Sequence, residues 1–456
     1  MTQDEHAANE PPLTGIDDLL VPFHQAIKPR ERFRVGTEAE KIGLIEGTWA
    51  ALPFEGTRSV SRVLALLEER FGWHGEREHE GAPIIALRKN DASVTLEPAG
   101  QLELSGAPLS TIHETSAELR AHLEEVHAIS SELGIAWISM GFHPFATHAD
   151  LPEVPKLRYG VMKRYLPTRG PRSLDMMRRT STVQANLDYS SEADALRKLR
   201  IALALQPIVT AMFASSPFYE GSRGRYLSER CAVWLGMDPD RSGILPFAWD
   251  KYASFERYVE WALDVPMFLV KRGKRMLPNT GQTFRQFLKH GLEGERATQA
   301  DWETHLNSLF PEARLKRTLE MRGADAQSTE LSCALPALWK GLMYEPRALD
   351  EAEALASQLD PTALESARPD IAVRALAAQL KGKPVQAWAE RTVEIANGGL
   401  ERLAHKNATG QDERVYLAQL TANVAAGKSP ADVLLEKVAA SREDLKTAVV
   451  VATRIA

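Results

Sequence analysis

An α+β fold, built on a mainly antiparallel sheet and ending in a helical C-terminal part, is predicted from three features of this sequence. Four separated segments, 34–44, 95–105, 180–188 and 319–323, alternate polar and apolar residues with the two-residue period of a half-buried strand. The polar positions of those segments are dominated by Glu, Gln, Asn and Thr, with Arg as the cation, whereas an ordinary solvated strand face is richer in Lys and mixed charge. Beyond Glu330 the composition shifts, and 354–404 and 418–456 are rich in Ala, Leu, Glu and Lys and read as mostly helical.

The elements follow in order. Residues 16–26 form a short amphipathic helix, and 60–71 a second, with Val63, Leu64 and Leu67 inward and Glu68, Glu69 and Arg70 outward. Residues 84–104 read as strands separated by turns at Asn90-Asp91 and Pro98-Ala99-Gly100. Thr111 with Glu114 makes a capping box for a helix to about Leu133, with Ile112, Leu119, Leu123, Val126 and Leu133 as its core stripe and Ser116 close by. A buried strand is expected over 135–141. The next stretch, 143–172, is Pro-rich and basic without clear periodicity. A long apolar helix over 191–214 is expected to break at Pro207, and 215–250 to be irregular. Short elements are expected at 258–268 and 284–288, and a helix over 302–310.

Composition bounds the function classes. With 456 residues, 44% hydrophobic and 25% charged, the chain is an ordinary globular one. A net charge of -6 and no basic stripe argue against nucleic acid as the main partner. The longest apolar runs, 201–205 and 448–452, are far too short to span a bilayer. Residues 1–12 carry no apolar secretory core and are expected to be a disordered tail, ahead of a single domain over 13–456 in which 345–456 is a helical portion packed on the sheet. Cys231 and Cys333, the chain's only cysteines, fit a reducing cytoplasm better than a disulfide framework, although one bridge between them is left open.

The strand pattern also suggests chemistry. In 34–44, Arg34, Glu38 and Glu40 share a face; in 95–105, Glu97, Gln101 and Glu103 do, unless Pro98 and Gly100 shift the parity of Glu97. Thr180, Thr182, Gln184, Asn186 and Asp188 line one side of their segment, and Glu320 with Arg322 one side of theirs. Any one of these is by itself an ordinary wet strand face. Together, Glu38, Glu40, Glu103 and Glu320 on one concave face would make an oxygen-rich site for a hard cation such as Mg²⁺, which typically also holds substrate phosphates. Arg158, Tyr159, Lys163 and Arg164 would neutralise phosphate oxygens if their Pro-stiffened stretch lies near that face; solvated loop charges are the competing reading. No G-x-x-x-x-G-K-[ST] loop, no G-x-G-x-x-G after a strand and no H-E-x-x-H occurs, so a nucleotide would be held by other means. Cys231 beside Arg230 reads as a buried structural thiol rather than a nucleophile.

Six motifs in order carry a resemblance: Gly36-Thr37-Glu38-Ala39-Glu40-Lys41; Leu96-Glu97-Pro98 through Leu104-Ser105-Gly106-Ala107-Pro108; Leu174-Asp175-Met176-Met177-Arg178; Thr182-Val183-Gln184-Ala185-Asn186-Leu187-Asp188; Asp264-Val265-Pro266-Met267; and Arg314 to Asp325. From about Phe33 to the C-terminus the chain resembles glutamate–cysteine ligases of the plant and proteobacterial type. The resemblance implies a glutamine-synthetase-like fold, a curved, mainly antiparallel sheet forming a funnel with helices outside. It implies ATP- and Mg²⁺-dependent joining of the L-glutamate γ-carboxylate to the L-cysteine amine through an acyl phosphate, the first step towards glutathione; the sequence leaves monomer and homodimer both open.

Carried over by position, the resemblance makes Glu38, Glu40, Glu103 and Glu320 the Mg²⁺/ATP ligands, with Glu97 and Gln101 as lesser candidates. It gives Arg230 the glutamate α-carboxylate, puts Thr180, Thr182, Gln184 and Asn186 in the amino-acid pocket, and sets Arg322 on the transferring phosphoryl group. Ser116 stands where many plant members have a redox-switch cysteine whose partner matches Cys333, which implies no thiol switch of that kind. Leu157 stands where the family has a glycine. Two other readings share these residues: a ligase of the same fold acting on another amine or serving ergothioneine synthesis, and a phosphotransferase that releases a phosphorylated product.

Overall fold

Strand β1 (Val35–Ile45) is where sequence alternation becomes architecture. Its first half alternates buried and half-buried residues, whereas its second half is buried on both faces, and the partners change accordingly. The structure, a computed structural model, describes residues 11–273 and 275–456, so residues 1–10 of the expected tail lie outside the described residues. The other strands of the main sheet are β2 (His74–Glu76), β3 (Ala86–Lys89), β4 (Ala92–Leu96), β5 (Leu102–Ser105), β6 (Ile135–Ile138), β7 (Val183–Leu187), β8 (Ala313–Leu315) and β9 (Leu319–Met321). They form a nine-stranded sheet in the order β8-β9-β7-β1-β5-β4-β3-β2, with β6 joined to the end of β1. Every pairing in it is antiparallel.

Register fixes which side chains meet. Glu40 lies opposite Glu103, Glu38 opposite Gln184 on one side and Ser105 on the other, Asn186 opposite Glu320, and Glu320 opposite Arg314. All of these share one face by the parity of the pleat. The other face presents Val35, Ala39, Leu102, Leu104, Val183, Ala185, Leu187, Leu319 and Met321, all buried. Helix Thr329–Met343 packs across β7 and β1 on that side, and helix Ile112–Leu133 packs against it and β6. Burying each such aliphatic side chain stabilises the fold by roughly 1.5–3 kcal/mol. At Gly43 a Cβ would lie 2.8 Å from Leu52 and 2.9 Å from Trp137, so only glycine lets the strand approach them.

The capping box at Thr111 is present: Glu114 N donates to Thr111 Oγ1 at 3.2 Å and Thr111 N to Glu114 Oε2 at 2.8 Å. Three expectations are corrected. The stretch 143–172 contains helix Leu157–Tyr165, and the irregular 215–250 contains helix Glu229–Leu235, whose first turn Ser228 caps. Both are too short to show periodicity. Helix Glu192–Met212 runs unbroken through Pro207, because burial along almost its whole length outweighs one lost backbone hydrogen bond. In the C-terminal portion, helix Val385–Leu403 packs mainly on helix Thr329–Met343, and direct contact with the sheet is made at the end of the chain, where Arg454 bridges Ile138 and Trp137 donates to Ala456 O. Among the described residues no helix is long and apolar enough to cross a membrane.

Candidate active site

A cavity of about 380 Å³ opens over the polar face of the sheet. One wall is the sheet itself, with Glu38, Glu40, Glu103 and Gln184, extended by Glu97 at the turn after β4. The opposite wall comes from short helices and loops: Arg158, Tyr159 and Met162 from helix Leu157–Tyr165; Met176 and Met177 from helix Ser173–Arg179, with Thr180 at its end; and Arg230 and Trp234 from helix Glu229–Leu235. Met267, Phe268, Leu269, Asn307 and Phe310 close it.

The carboxylates are crowded and largely buried. Glu40 accepts from Thr182 N at 3.0 Å, Glu38 from Asn186 Nδ2 at 2.9 Å, and Glu103 from the hydroxyls of Ser105 and Thr95. Burial, then repulsion from Glu320 and Glu103, pushes the Glu38 carboxyl up to about 7. Burial, then Glu97 and Glu103, pushes Glu40 well above the usual carboxylate range, and burial with Glu97 raises Glu103. A cation placed among them would offset that repulsion. Among the described residues no three Asp, Glu, His or Cys side chains close on one point as a ready-made metal site. The donor set therefore fits Mg²⁺ held by one or two carboxylates, with phosphate and water completing its shell, rather than an all-protein cage.

Glu320 lies on the same sheet face but fully buried, and cations occupy both its oxygens. Arg314 donates Nε to Oε2 and Nη2 to Oε1, each at 2.9 Å, Lys316 Nζ lies 3.0 Å from Oε2, and Arg322 Nη1 contacts Oε1. These partners hold its carboxyl well below the usual range despite burial. Arg322 also donates to Gln184 Oε1 at 2.9 Å, and among the described residues its Nε has no partner. Arg230, 2% exposed, donates Nη2 to Arg322 O at 2.7 Å, and its Nε too is without a partner among the described residues.

Of the other sequence-derived candidates, Thr180 and Thr182 line the cavity, but their hydroxyls donate to Met176 O and Ala324 O. Asn186 supports Glu38 from beside the cavity. Arg158 and Tyr159 reach the cavity, whereas Lys163 and Arg164 are not among the side chains that line it: both are exposed, and Lys163 pairs with Glu153. Gln101 is turned away as well, because Gly100 (φ +82°) reverses the chain and its amide donates to Arg178 O and Thr180 O. The reading from sequence missed Arg314, Lys316 and the methionine-lined wall. Arg314 was legible: Arg314-Leu315-Lys316 and Leu319-Glu320-Met321 alternate about a short turn, which puts Arg314 opposite Glu320.

The two cysteines are buried and unpaired. Burial pushes the Cys231 thiol up to about 12 and Cys333 up to about 11, and Cys333 lies in hydrogen-bond contact with Ser116.

Residues 34–451 match the sequence profile of glutamate–cysteine ligase family 2. The chloroplastic glutamate–cysteine ligase of Brassica juncea is 43% identical over 438 residues, covering 95% of this chain and 83% of that protein. Chloroplastic glutamate–cysteine ligase B of Oryza sativa subsp. japonica is 43% identical over 427 residues, covering 93% and 84%. Among solved structures, glutamate–cysteine ligase from Francisella tularensis in complex with AMP superposes with a TM-score of 0.55 at 12% identity, covering 92% of this chain and 87% of that one, a likeness of fold.

Proposed function

The chain belongs to glutamate–cysteine ligase family 2, and from that premise we propose that it joins the γ-carboxylate of L-glutamate to the amine of L-cysteine at the expense of ATP, the first step of glutathione biosynthesis. In this reading the γ-phosphoryl group of ATP passes to a γ-carboxylate oxygen, releasing ADP. The cysteine nitrogen then attacks the acyl carbon, phosphate leaves, and the nitrogen loses its proton. The observation that carries the reading is one cavity with carboxylates on its sheet wall and the guanidinium groups of Arg158, Arg230 and Arg322 around the rest. The AMP held by the Francisella neighbour supports use of a nucleotide.

One or two of Glu38, Glu40, Glu97 and Glu103 would hold each Mg²⁺ alongside phosphate and water, and Glu320 would contribute by exchanging one of its cations for the metal. Bound there, Mg²⁺ supplies neutralisation of phosphate charge. Arg230, buried with donors to spare, suits the α-carboxylate of glutamate as a planar, charge-assisted partner. Gln184, Thr180 and Thr182 border the same amino-acid pocket, with Asn186 holding Glu38 beside it. Arg322, with a free Nε–H, suits the phosphoryl group in transfer, and Arg158 with Tyr159 the nucleotide phosphates. The site would position the reactants for in-line transfer and attack. Residence in a reducing cytoplasm is part of this proposal, and with Ser116 in place of a cysteine no thiol switch of the plant kind is expected.

The test is ADP formation by purified protein with ATP, Mg²⁺ and glutamate, with and without cysteine, the product identified by mass. Cysteine-dependent ADP and a γ-glutamylcysteine mass are expected. Better stimulation by another amine would move the acceptor, and ADP formed without any amine would replace ligation by phosphotransfer.

A further inference from the structure

Asp325 lies behind the cavity wall. It is 1% exposed and is not among the side chains that line the cavity, yet both its oxygens are committed to the helix that carries Arg230. Oδ2 accepts from Ser216 Oγ at 2.6 Å, and Ser216 Oγ in turn accepts from Arg230 N at 3.3 Å. Oδ1 accepts from Ser228 Oγ at 2.9 Å, and Ser228 Oγ accepts from Cys231 N at 2.9 Å. One carboxylate thus reaches two consecutive amides in the first turn of helix Glu229–Leu235, through two serines that each donate to Asp325 and accept from the helix. Ser215 N donates to Oδ2 at 2.8 Å and fixes the carboxylate from a third side. Its seat is shaped by Gly141, where a Cβ would fall 2.2 Å from Asp325 Cγ, so only glycine leaves room.

A seven-residue helix does not hold itself together in water, so these relays decide where its side chains stand. Arg230 depends on them most. Its guanidinium is buried, donates to Arg322 O, and has no ion-pair partner among the described residues. Burial lowers the pKa of Arg230, and Asp325 is the strongest charge opposing that, ahead of Glu40 and Glu312. A counter-charge held out of contact keeps a guanidinium ionised without occupying its donors, which is the state a receptor for a carboxylate requires. Resting on the ligase reading above, we propose that Asp325 is a positioning residue for glutamate recognition, setting the place of Arg230 through Ser216 and Ser228 while leaving its donors to the substrate's α-carboxylate. Asp325 itself touches no substrate, and the effect of altering it falls on glutamate rather than on ATP.

The test compares the full chain with Asp325→Asn, Ser228→Ala and Ser228→Thr, measuring KM for glutamate and for ATP. It also measures the inhibition constant of 4-aminobutyrate, which carries the γ-carboxylate and amine of glutamate without the α-carboxylate. Asp325→Asn, close in shape but uncharged, should raise KM for glutamate about 10-fold and leave KM for ATP within about twofold. Ser228→Ala should raise KM for glutamate a few-fold, and Ser228→Thr, which restores the hydroxyl, should recover most of that loss. The 4-aminobutyrate constant should stay within about twofold throughout, because that molecule offers Arg230 nothing to hold. Parallel weakening of glutamate, ATP and 4-aminobutyrate would make Asp325 a general structural residue and overturn the inference. So would a KM for glutamate within about twofold of the unaltered protein in Ser228→Ala, even if Asp325→Asn failed to fold. Failure of the unaltered protein to form ADP from ATP with glutamate and cysteine would instead remove the ligase reading on which it rests.

Discussion

The two walls of the cavity are built by different rules. On the sheet wall, Glu38, Glu40, Glu103 and Gln184, with Glu320 buried beside them on the same face, are placed by hydrogen-bond register, so a shift of one residue would send the whole set to the other face. On the opposite wall, Arg158, Met176 and Arg230 come from three short helices, the third far along the chain from the first two, positioned by side-chain anchors. Arg172, for example, ties Asp175 of one helix to Glu229 of another at 2.6 and 2.7 Å. The register-held wall, the rigid one, carries the acidic groups, and the anchor-held wall, the adaptable one, carries the groups proposed for recognition. This division suits a reaction in which charge must be held still while substrates of different shape come and go.

The largest effect should come from the rigid wall. Glu40→Gln keeps the acceptor for Thr182 N but removes a charge, and turnover should fall about 1,000-fold or more, as for loss of a central electrostatic group. The metal-free variant should melt above the unaltered protein, because one of several crowded carboxylates is gone. A lower melting point with retained turnover would make Glu40 a structural residue and dissolve the contrast between the walls. Next comes the adaptable wall. Arg230→Met should raise KM for glutamate about 10–100-fold, the loss of a charge-assisted contact, with a smaller change in KM for ATP. Equal losses for both substrates would show that Arg230 holds its wall together instead of recognising one ligand.

The same contrast explains what was legible in the sequence. Alternation placed the sheet's acidic face, since period two needs only a few residues to declare itself, and Glu38, Glu40 and Glu103 lie where it put them. It failed at Gln101, where the left-handed Gly100 reverses the chain, and at Lys163 and Arg164, where a nine-residue helix was read as a loop. A helix with two and a half turns and polar residues on several sides has no stripe to detect. Pro207 misled in the opposite direction, because a local rule about helix breaking yields where burial is nearly complete. The converging cations at Glu320 were half legible: the hairpin places Arg314, but nothing in the sequence says that Lys316 folds back on the same carboxylate.

A smaller effect concerns stability at the edges of the adaptable wall. Burial, with Arg179 nearby, drives His143 down to about 3, and burial drives His305 down to about 3 against its Ala262 O contact. Their unfolded value is about 6.5. The folded chain thus refuses protons that the unfolded chain accepts, so stability is fully present above pH 6.5 and is lost as pH falls from there towards 3. The melting temperature should drop through that window, and His305→Gln should flatten the slope. An identical slope in the variant would assign the acid sensitivity elsewhere.

The smallest expected effect is at Lys163, and it is the sharpest check on where the adaptable wall ends. A basic residue in a loop beside an acidic site invites the role of phosphate ligand, yet its side chain is 44% exposed and pairs with Glu153 on the outside of the helix that sends Arg158 and Met162 inward. An exposed pair of long, flexible side chains is screened by water and salt and contributes little. Lys163→Met should therefore leave KM for ATP and turnover within about twofold at ordinary ionic strength, while Arg158→Met on the same helix should raise KM for ATP several-fold. If both variants lost nucleotide affinity equally, the helix would have to rotate or close on binding, and the wall drawn here would be its open form.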